Sequence, residues 1–117
     1  MTIKSFTDLI AWQEAHKLVI EAYKLSNQLP KEEKFGLISQ MRRSAVSVAA
    51  NIAEGFKRRG VKNKVLFYNI SQSSLEETRY YMILCRDLGY LKDVEPVLKN
   101  CDAVAQLMNA LIRATEK

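Results

Sequence analysis

Few residues in the sequence could supply reactive or metal-binding chemistry. The chain of 117 residues has one histidine, His16, and two cysteines, Cys85 and Cys101. These residues do not match the Cys/His spacing of a zinc site, and the two cysteines do not form a CxxC pair. Glycine-rich phosphate loops and serine or cysteine nucleophile motifs are absent as well. The sequence therefore predicts no catalytic residue, no metal site and no cofactor, and we expect a protein that is not an enzyme.

Long apolar runs are also missing. The N-terminus, MTIKSFTDLIAWQEAH, has no continuous apolar stretch, and no later segment approaches the ~20 apolar residues that cross a bilayer. Cys85 and Cys101 are expected to be buried thiols, as in a reducing compartment. We therefore expect a cytoplasmic protein with no membrane partner. A chain of this length predicts a single domain over residues 1–117.

Proline and glycine are scarce, with two prolines and four glycines, so little interrupts a helical pattern. Apolar residues recur at steps of three and four along most of the chain, which is typical of amphipathic helices. Pro30, Gly60 and Gly89 mark helix ends. Helices joined by connections of a few residues predict an all-α fold, an antiparallel up-down-up-down four-helix bundle. The predicted helices cover about residues 8–28, 32–59, 62–88 and 93–115.

Each predicted helix carries a stripe of residues expected to face the core. The stripes of the second and third helices are the most relevant to function, because the candidate sites lie on these two helices. For the second helix the stripe is Leu37, Met41, Ala45, Val48, Ile52 and Phe56; for the third it is Phe67, Ile70, Ser74, Glu77, Tyr81, Leu84 and Leu88.

The second helix has little charge on the face opposite its stripe. The run from Ser44 to Ala53, SAVSVAANIA, contains no charged residue. Exposed alanine costs little in a helix, which is one explanation. The explanation we favour is that small side chains let another copy of the chain come close, since the third helix also has apolar residues away from its predicted stripe. The predicted oligomer interface consists of Val46, Ala50, Ala53, Tyr80, Met82 and Ile83.

The net charge of +5 is concentrated in one part of the chain. Residues 31–64 hold nine basic and three acidic side chains, and KRRGVKNK, from Lys57 to Lys64, has five basic residues and no acid. A helix C-terminus favours cations without any ligand, whereas Lys62 and Lys64 begin a helix, where positive charge is unfavourable. A solvated helix junction and a polyanion site both remain open. The candidate nucleic-acid-binding residues are Arg42, Arg43, Lys57, Arg58, Arg59, Lys62 and Lys64, with Tyr68 as the nearest predicted stacking aromatic.

Four segments also carry a resemblance to a known family. They are DLIAWQEAHKLVIEAYKL, LPKEEKFGLISQMRRSAVSVAANIAEGFKR, SSLEETRYY and RDLGYL, and NIAEG after QMRRSAVS is the most diagnostic part. The sequence resembles the 23S ribosomal RNA intervening-sequence proteins, small bacterial four-helix bundles. The resemblance implies assembly into a ring, commonly a homopentamer. It also implies kinship with accessory proteins of diversity-generating retroelements, which are basic pentamers that engage nucleic acid and a reverse transcriptase.

The sequence leaves two functional hypotheses. In the first, the chain is a non-enzymatic, homo-oligomeric bundle that binds the backbone of RNA or DNA through its basic cluster, as an accessory or scaffold protein. In the second, the chain is an adaptor that binds a larger protein partner and has no nucleic-acid role.

Overall fold

The computed structural model describes residues 2–117, and most of them lie in α-helices. No β-strand occurs in this part of the chain, in agreement with the predicted all-α class. Nor does any helix within it combine the length and the apolar character that crossing a membrane requires. The helices are α1 (Ile10–Ser26), α2 (Leu37–Lys57), α3 (Val61–Asp87) and α4 (Glu95–Glu116), with short 3-10 turns at Phe6–Asp8 and Lys31–Glu33.

The four helices enclose one core. α1 packs against α2, α2 against α3, α3 against α4, and α4 against α1, which makes a closed four-helix bundle. Its long dimension of 44 Å is close to the ~40 Å expected for the 27 residues of α3 at 1.5 Å per residue. The connections before α2 and before α4 also meet, because the Tyr90 hydroxyl donates a hydrogen bond to the Glu33 carboxylate at 3.1 Å.

The second helix begins five residues later than predicted. Residues Lys31–Glu33 form the 3-10 turn, and the α-helix starts at Leu37. The Glu33 carboxylate accepts a hydrogen bond from the Leu37 backbone N–H at 3.2 Å, which satisfies one of the amides that a helix start leaves unpaired. The predicted stripe of this helix is confirmed in its central part. Its residues Met41, Ala45 and Val48 are fully buried.

The predicted stripe of α3 was wrong by about one position, except at Ser74, which is buried as predicted. Ile70 and Glu77 are exposed, and the helix instead buries residues that include two hydroxyl side chains, Ser71 and Thr78. A search for apolar periodicity misses such residues, because their burial depends on hydrogen bonds to other groups. The buried residues of α3 are Tyr68, Ser71, Ser74, Leu75, Thr78, Met82 and Cys85.

Two assignments on α3 are corrected by this rotation. Met82, predicted to lie in the oligomer interface, has no exposed surface and belongs to the core of the protomer. Tyr68, predicted to be an exposed stacking aromatic, is only 2% exposed. The physical reason is the same for both: hydroxyl residues of α3 turn towards α2 and bring Tyr68 and Met82 inward with them.

Hydroxyl groups join α2 to α3 along this contact. Ser71 donates to the backbone carbonyl of Val48 at 2.7 Å, and Thr78 donates to the Ser44 hydroxyl at 2.9 Å. Near the end of α2 the two helices come so close that a Cβ atom on Gly55 would lie 2.6 Å from the Tyr68 ring. A larger residue at position 55 would therefore have to displace the Tyr68 ring, and the contact fixes how α2 approaches the turn after it.

Candidate nucleic-acid interface

The turn between α2 and α3 is short and gathers basic side chains. α2 ends at Lys57, α3 begins at Val61, and Gly60 between them has φ +79°, a conformation that favours glycine. A Cβ atom at Gly60 would meet nothing within 4 Å, so the need for glycine comes from the backbone angle and not from lack of space. Only three residues therefore connect the two helices, and the basic side chains from Lys57 to Lys64 lie in or next to this connection.

Lys64 is bound to the protein. Its Nζ donates hydrogen bonds to the carbonyl oxygens of Phe56, at 2.6 Å, and Gly55, at 3.4 Å, and it lies 5.4 Å from the centre of the Phe56 ring. These carbonyls belong to the last turn of α2, where a helix has unpaired acceptors and favours positive charge. Lys64 is unfavourable at the start of α3, but its charge stabilises the end of α2.

Arg58 has partners as well, although it remains partly exposed. Its guanidinium lies 3.3 Å from the Glu54 carboxylate and 4.4 Å from the centre of the Phe67 ring. Exposed ion pairs of this kind contribute only ~0–1 kcal/mol and are screened by salt. Arg58 can therefore exchange Glu54 for another anion at little cost.

The structure does not bring Arg42 and Arg43 to the turn. Arg42 donates to the Ser26 hydroxyl at 2.8 Å and to the Asn27 side-chain oxygen at 2.9 Å, so it ties α2 to the end of α1. Arg43 is exposed and, within residues 2–117, makes no hydrogen bond or ion pair. It lies 14 residues before Lys57 on the same helix, which is roughly 21 Å along the axis. The seven predicted residues therefore do not form one site.

Three cations remain free at the turn. Lys57, Arg59 and Lys62 are exposed, and within the described chain none of them makes a hydrogen bond or an ion pair. We call these three residues the basic turn. Side chains that no carboxylate neutralises keep their full attraction for phosphate groups.

A recess lies beside the basic turn and was not predicted from the sequence. Its volume is about 440 Å³, and its walls come from the N-terminal segment, the end of α2, the start of α3 and the end of α4. No local sequence pattern indicates it, because the N-terminal segment and the end of α4 have to meet the α2–α3 turn before the recess exists. We call it the turn recess; it is lined by Ile3, Leu9, Phe56, Gly60, Val61, Lys64, Tyr68, Leu111 and Thr115.

The other predicted interface residues lie at or near the surface. Val46 is 41% and Tyr80 56% exposed, Ala50 is exposed, and Ala53 and Ile83 are half-buried. Five of the six predicted interface residues therefore retain exposed surface on the protomer, and Met82 does not.

The nucleophilic and imidazole side chains are accounted for by packing. Cys85 and Cys101 are fully buried, and burial raises the pKa of each thiol to about 11. His16 stacks on Trp12, with ring centres 4.9 Å apart and an angle of 8° between the rings. Within residues 2–117 no three histidine, cysteine, aspartate or glutamate side chains come together as a metal site would require.

Comparison with known proteins identifies the family. The chain resembles a crystal structure of a protein of unknown function from the S23 ribosomal protein family of Bacteroides thetaiotaomicron VPI-5482, with a TM-score of 0.81 and 22% sequence identity over 88% of this chain and 98% of that one. No curated protein has a significantly similar sequence. The family model described as "23S rRNA-intervening sequence protein" matches residues 7–110. Since this match covers most of the chain, the protein belongs to the family of 23S rRNA-intervening sequence proteins.

Proposed function

We propose that this protein is a non-enzymatic, homo-oligomeric helical bundle that binds the phosphate backbone of RNA or DNA through the basic turn, as an accessory or scaffold protein of the cytoplasm. The observation that carries the proposal is the state of Lys57, Arg59 and Lys62, which are exposed and free of partners in the described chain. Free cations that lie close together favour the binding of a polyanion, because binding releases the counterions condensed on the polyanion.

The proposed assembly is a ring, a homopentamer, of up-down-up-down antiparallel bundles. The neighbour order of the helices and their short connections support the antiparallel arrangement. The exposed Val46, Ala50 and Tyr80 support an interface on α2 and α3. A ring repeats the basic turn in every subunit and so multiplies its electrostatic field.

Charge reversal tests the nucleic-acid role. The variant Lys57→Glu/Arg59→Glu/Lys62→Glu is compared with Lys24→Glu/Lys92→Glu/Lys99→Glu, which reverses three exposed lysines far from the turn in sequence. Each variant lowers the formal net charge from +5 to −1, because each reversal removes two charges. Fluorescence anisotropy with labelled duplex DNA and structured RNA, at about 50 and 200 mM salt, measures binding.

The two variants should behave differently. We expect the basic-turn variant to lose at least tenfold in affinity and its salt dependence to fall by about three phosphate contacts per subunit, while the distant variant changes much less. Equal losses of affinity in the two variants would show that binding depends on the net charge of the protein and not on the basic turn. If the unaltered protein binds neither nucleic acid at 50 mM salt, the proposal is wrong.

The size of the assembly is tested separately. Ala50→Glu places a charge on the exposed face of α2, and we expect the molar mass from light scattering to fall to that of smaller soluble species. Ser73→Glu, at an exposed position of α3 that is not among the proposed interface residues, is the control and should leave the mass unchanged. An unchanged mass for Ala50→Glu would mean that this face is solvated.

One observation favours the adaptor function. Phe35 is 90% exposed and borders a recess of about 550 Å³ that Tyr23, Ile38 and Val46 also line. An exposed aromatic ring beside apolar side chains is typical of a protein-binding surface. If the unaltered protein binds no nucleic acid, a protein partner at this recess is the next hypothesis.

A further inference from the structure

The turn recess is an open and mostly apolar depression at one end of the bundle. Leu9, Val61 and Leu111 give it apolar walls, and its volume of about 440 Å³ lies in the range of small-molecule sites. Polar groups reach it only from a few side chains. Such a combination of apolar walls and sparse, placed polar groups orients a ligand.

Tyr68 is the unusual residue in this recess. It is 2% exposed, yet its hydroxyl has no hydrogen-bond partner within residues 2–117. A tyrosine buried to this degree usually pairs its hydroxyl. No fully buried side-chain oxygen of the described chain lacks a partner, so the small exposed part of Tyr68 has to include this hydroxyl. Tyr68 also lines the recess, so this residue lies beside any ligand bound there.

Two other side chains have hydrogen-bonding capacity left. The Lys64 ammonium has three N–H groups and donates two hydrogen bonds, to Gly55 and Phe56, so one donor remains. Thr115 donates its hydroxyl hydrogen to the Leu111 carbonyl at 2.8 Å, which leaves its oxygen free to accept. Burial raises the pKa of Tyr68, so its hydroxyl stays protonated and can donate. The recess therefore offers donors and acceptors between apolar walls.

A nucleobase has the matching chemistry. Its faces are flat and apolar, and its edge carries both donors and acceptors. The position agrees, because Gly60 and Val61 form part of the wall while Arg59 and Lys62, of the basic turn, adjoin them in the chain. A nucleotide with its base in the recess would have its phosphates beside these two cations. We infer that the turn recess receives one unpaired base of a nucleic acid whose backbone lies on the basic turn, an inference that rests on the proposed function.

The test compares a short, fully paired RNA duplex with the same duplex carrying one bulged nucleotide. An unpaired base can enter a pocket at little cost, whereas a paired base has first to leave its stack. We expect the bulged RNA to bind about tenfold more tightly than the duplex, because only the unpaired base adds contacts in the recess without leaving a stack.

Matched variants locate the effect. Thr115→Trp fills the recess, and Ala114→Trp, at the neighbouring exposed position, places the same ring outside it. We expect Thr115→Trp to remove the preference for the bulge and to keep duplex binding and its salt dependence, while Ala114→Trp keeps both. Tyr68→Phe removes only the hydroxyl and should reduce the preference by about threefold without unfolding the chain.

The outcomes separate the two claims. If the unaltered protein binds duplex and bulged RNA equally and in a salt-dependent manner, the base-binding inference is wrong and the proposed function stands. A preference that persists in Thr115→Trp also overturns it, because the base would then bind elsewhere. If neither RNA binds, the inference fails, and the proposed function then stands only if duplex DNA still binds in a salt-dependent manner.

Discussion

The two ends of α2 carry the same kind of charge and use it in opposite ways. Near the start, Arg42 is held by Ser26 and Asn27 of the preceding segment and lies 4.7 Å from the centre of the Tyr23 ring. Past the end, Arg59 and Lys62 contact no partner in the described chain. Arg42 is therefore occupied by contacts within the fold, whereas Arg59 and Lys62 are available to bind an anion. A count of basic residues therefore overestimates the charge available for binding, unless the residues that have partners within the protein are left out.

The largest effect on stability is expected at the end of α2, where Gly55 meets Tyr68. Gly55→Ala should lower the free energy of unfolding by about 2 kcal/mol, because the added Cβ atom would lie 2.6 Å from a buried ring. This value is the cost of overpacking less the gain of ~1 kcal/mol in helix propensity. Urea denaturation measures it.

The double variant Gly55→Ala/Tyr68→Leu is the control for this prediction. Leucine has no ring edge at that place, so adding alanine to Tyr68→Leu should cost much less than adding it to the unaltered protein. Equal costs in the two backgrounds would show that the ring is not the obstacle.

A smaller effect is expected at the start of α2. Arg42→Gln removes hydrogen bonds to Ser26 and Asn27 and should lower the free energy of unfolding by about 1 kcal/mol. Arg43→Gln, one residue later, changes an exposed and unpaired side chain and should stay within about 0.5 kcal/mol of the unaltered protein. Thermal and urea unfolding compare the pair. If both variants are equally stable, Arg42 is not held in solution as the structure shows.

The smallest effect is expected within the basic stretch itself. Lys64→Gln should lower the free energy of unfolding by about 0.5–1 kcal/mol, because Lys64 pairs the last carbonyls of α2. Lys62→Gln should leave stability unchanged and weaken polyanion binding, since Lys62 has no partner in residues 2–117. The same two variants are measured by denaturation and by anisotropy. A loss of stability in Lys62→Gln and none in Lys64→Gln would reverse the roles of the two lysines.

On α2, where the core is apolar, the sequence was sufficient to predict it. The stripe of α2 is evident from Met41, Ala45 and Val48, and the all-α class from the same periodicity along the whole chain. The stripe of α3 could not be found in this way, because Ser71 and Thr78 are buried through hydrogen bonds to groups on α2. A local pattern of apolar residues cannot indicate which hydroxyl groups have hydrogen-bond partners on another helix.

The candidate site was predicted in part. The run KRRGVKNK located the cluster, and Lys57, Arg59 and Lys62 remain candidates within it. The role of Lys64 was missed because its partners are backbone carbonyls. Every residue has a backbone carbonyl, so the sequence does not indicate which ones accept a hydrogen bond from Lys64. The turn recess was missed because it forms only when four segments meet.

The buried cysteines make the protein suitable for site-specific labelling. Both thiols are inaccessible and have a pKa of about 11, so below pH ~9 they should not react with maleimide or iodoacetamide reagents. A single cysteine introduced at exposed Ser73, outside the basic turn, would then be the one reactive thiol among residues 2–117. A dye or spin label attached there would report the distance between subunits, and between the protein and a labelled nucleic acid, without any change to the natural cysteines.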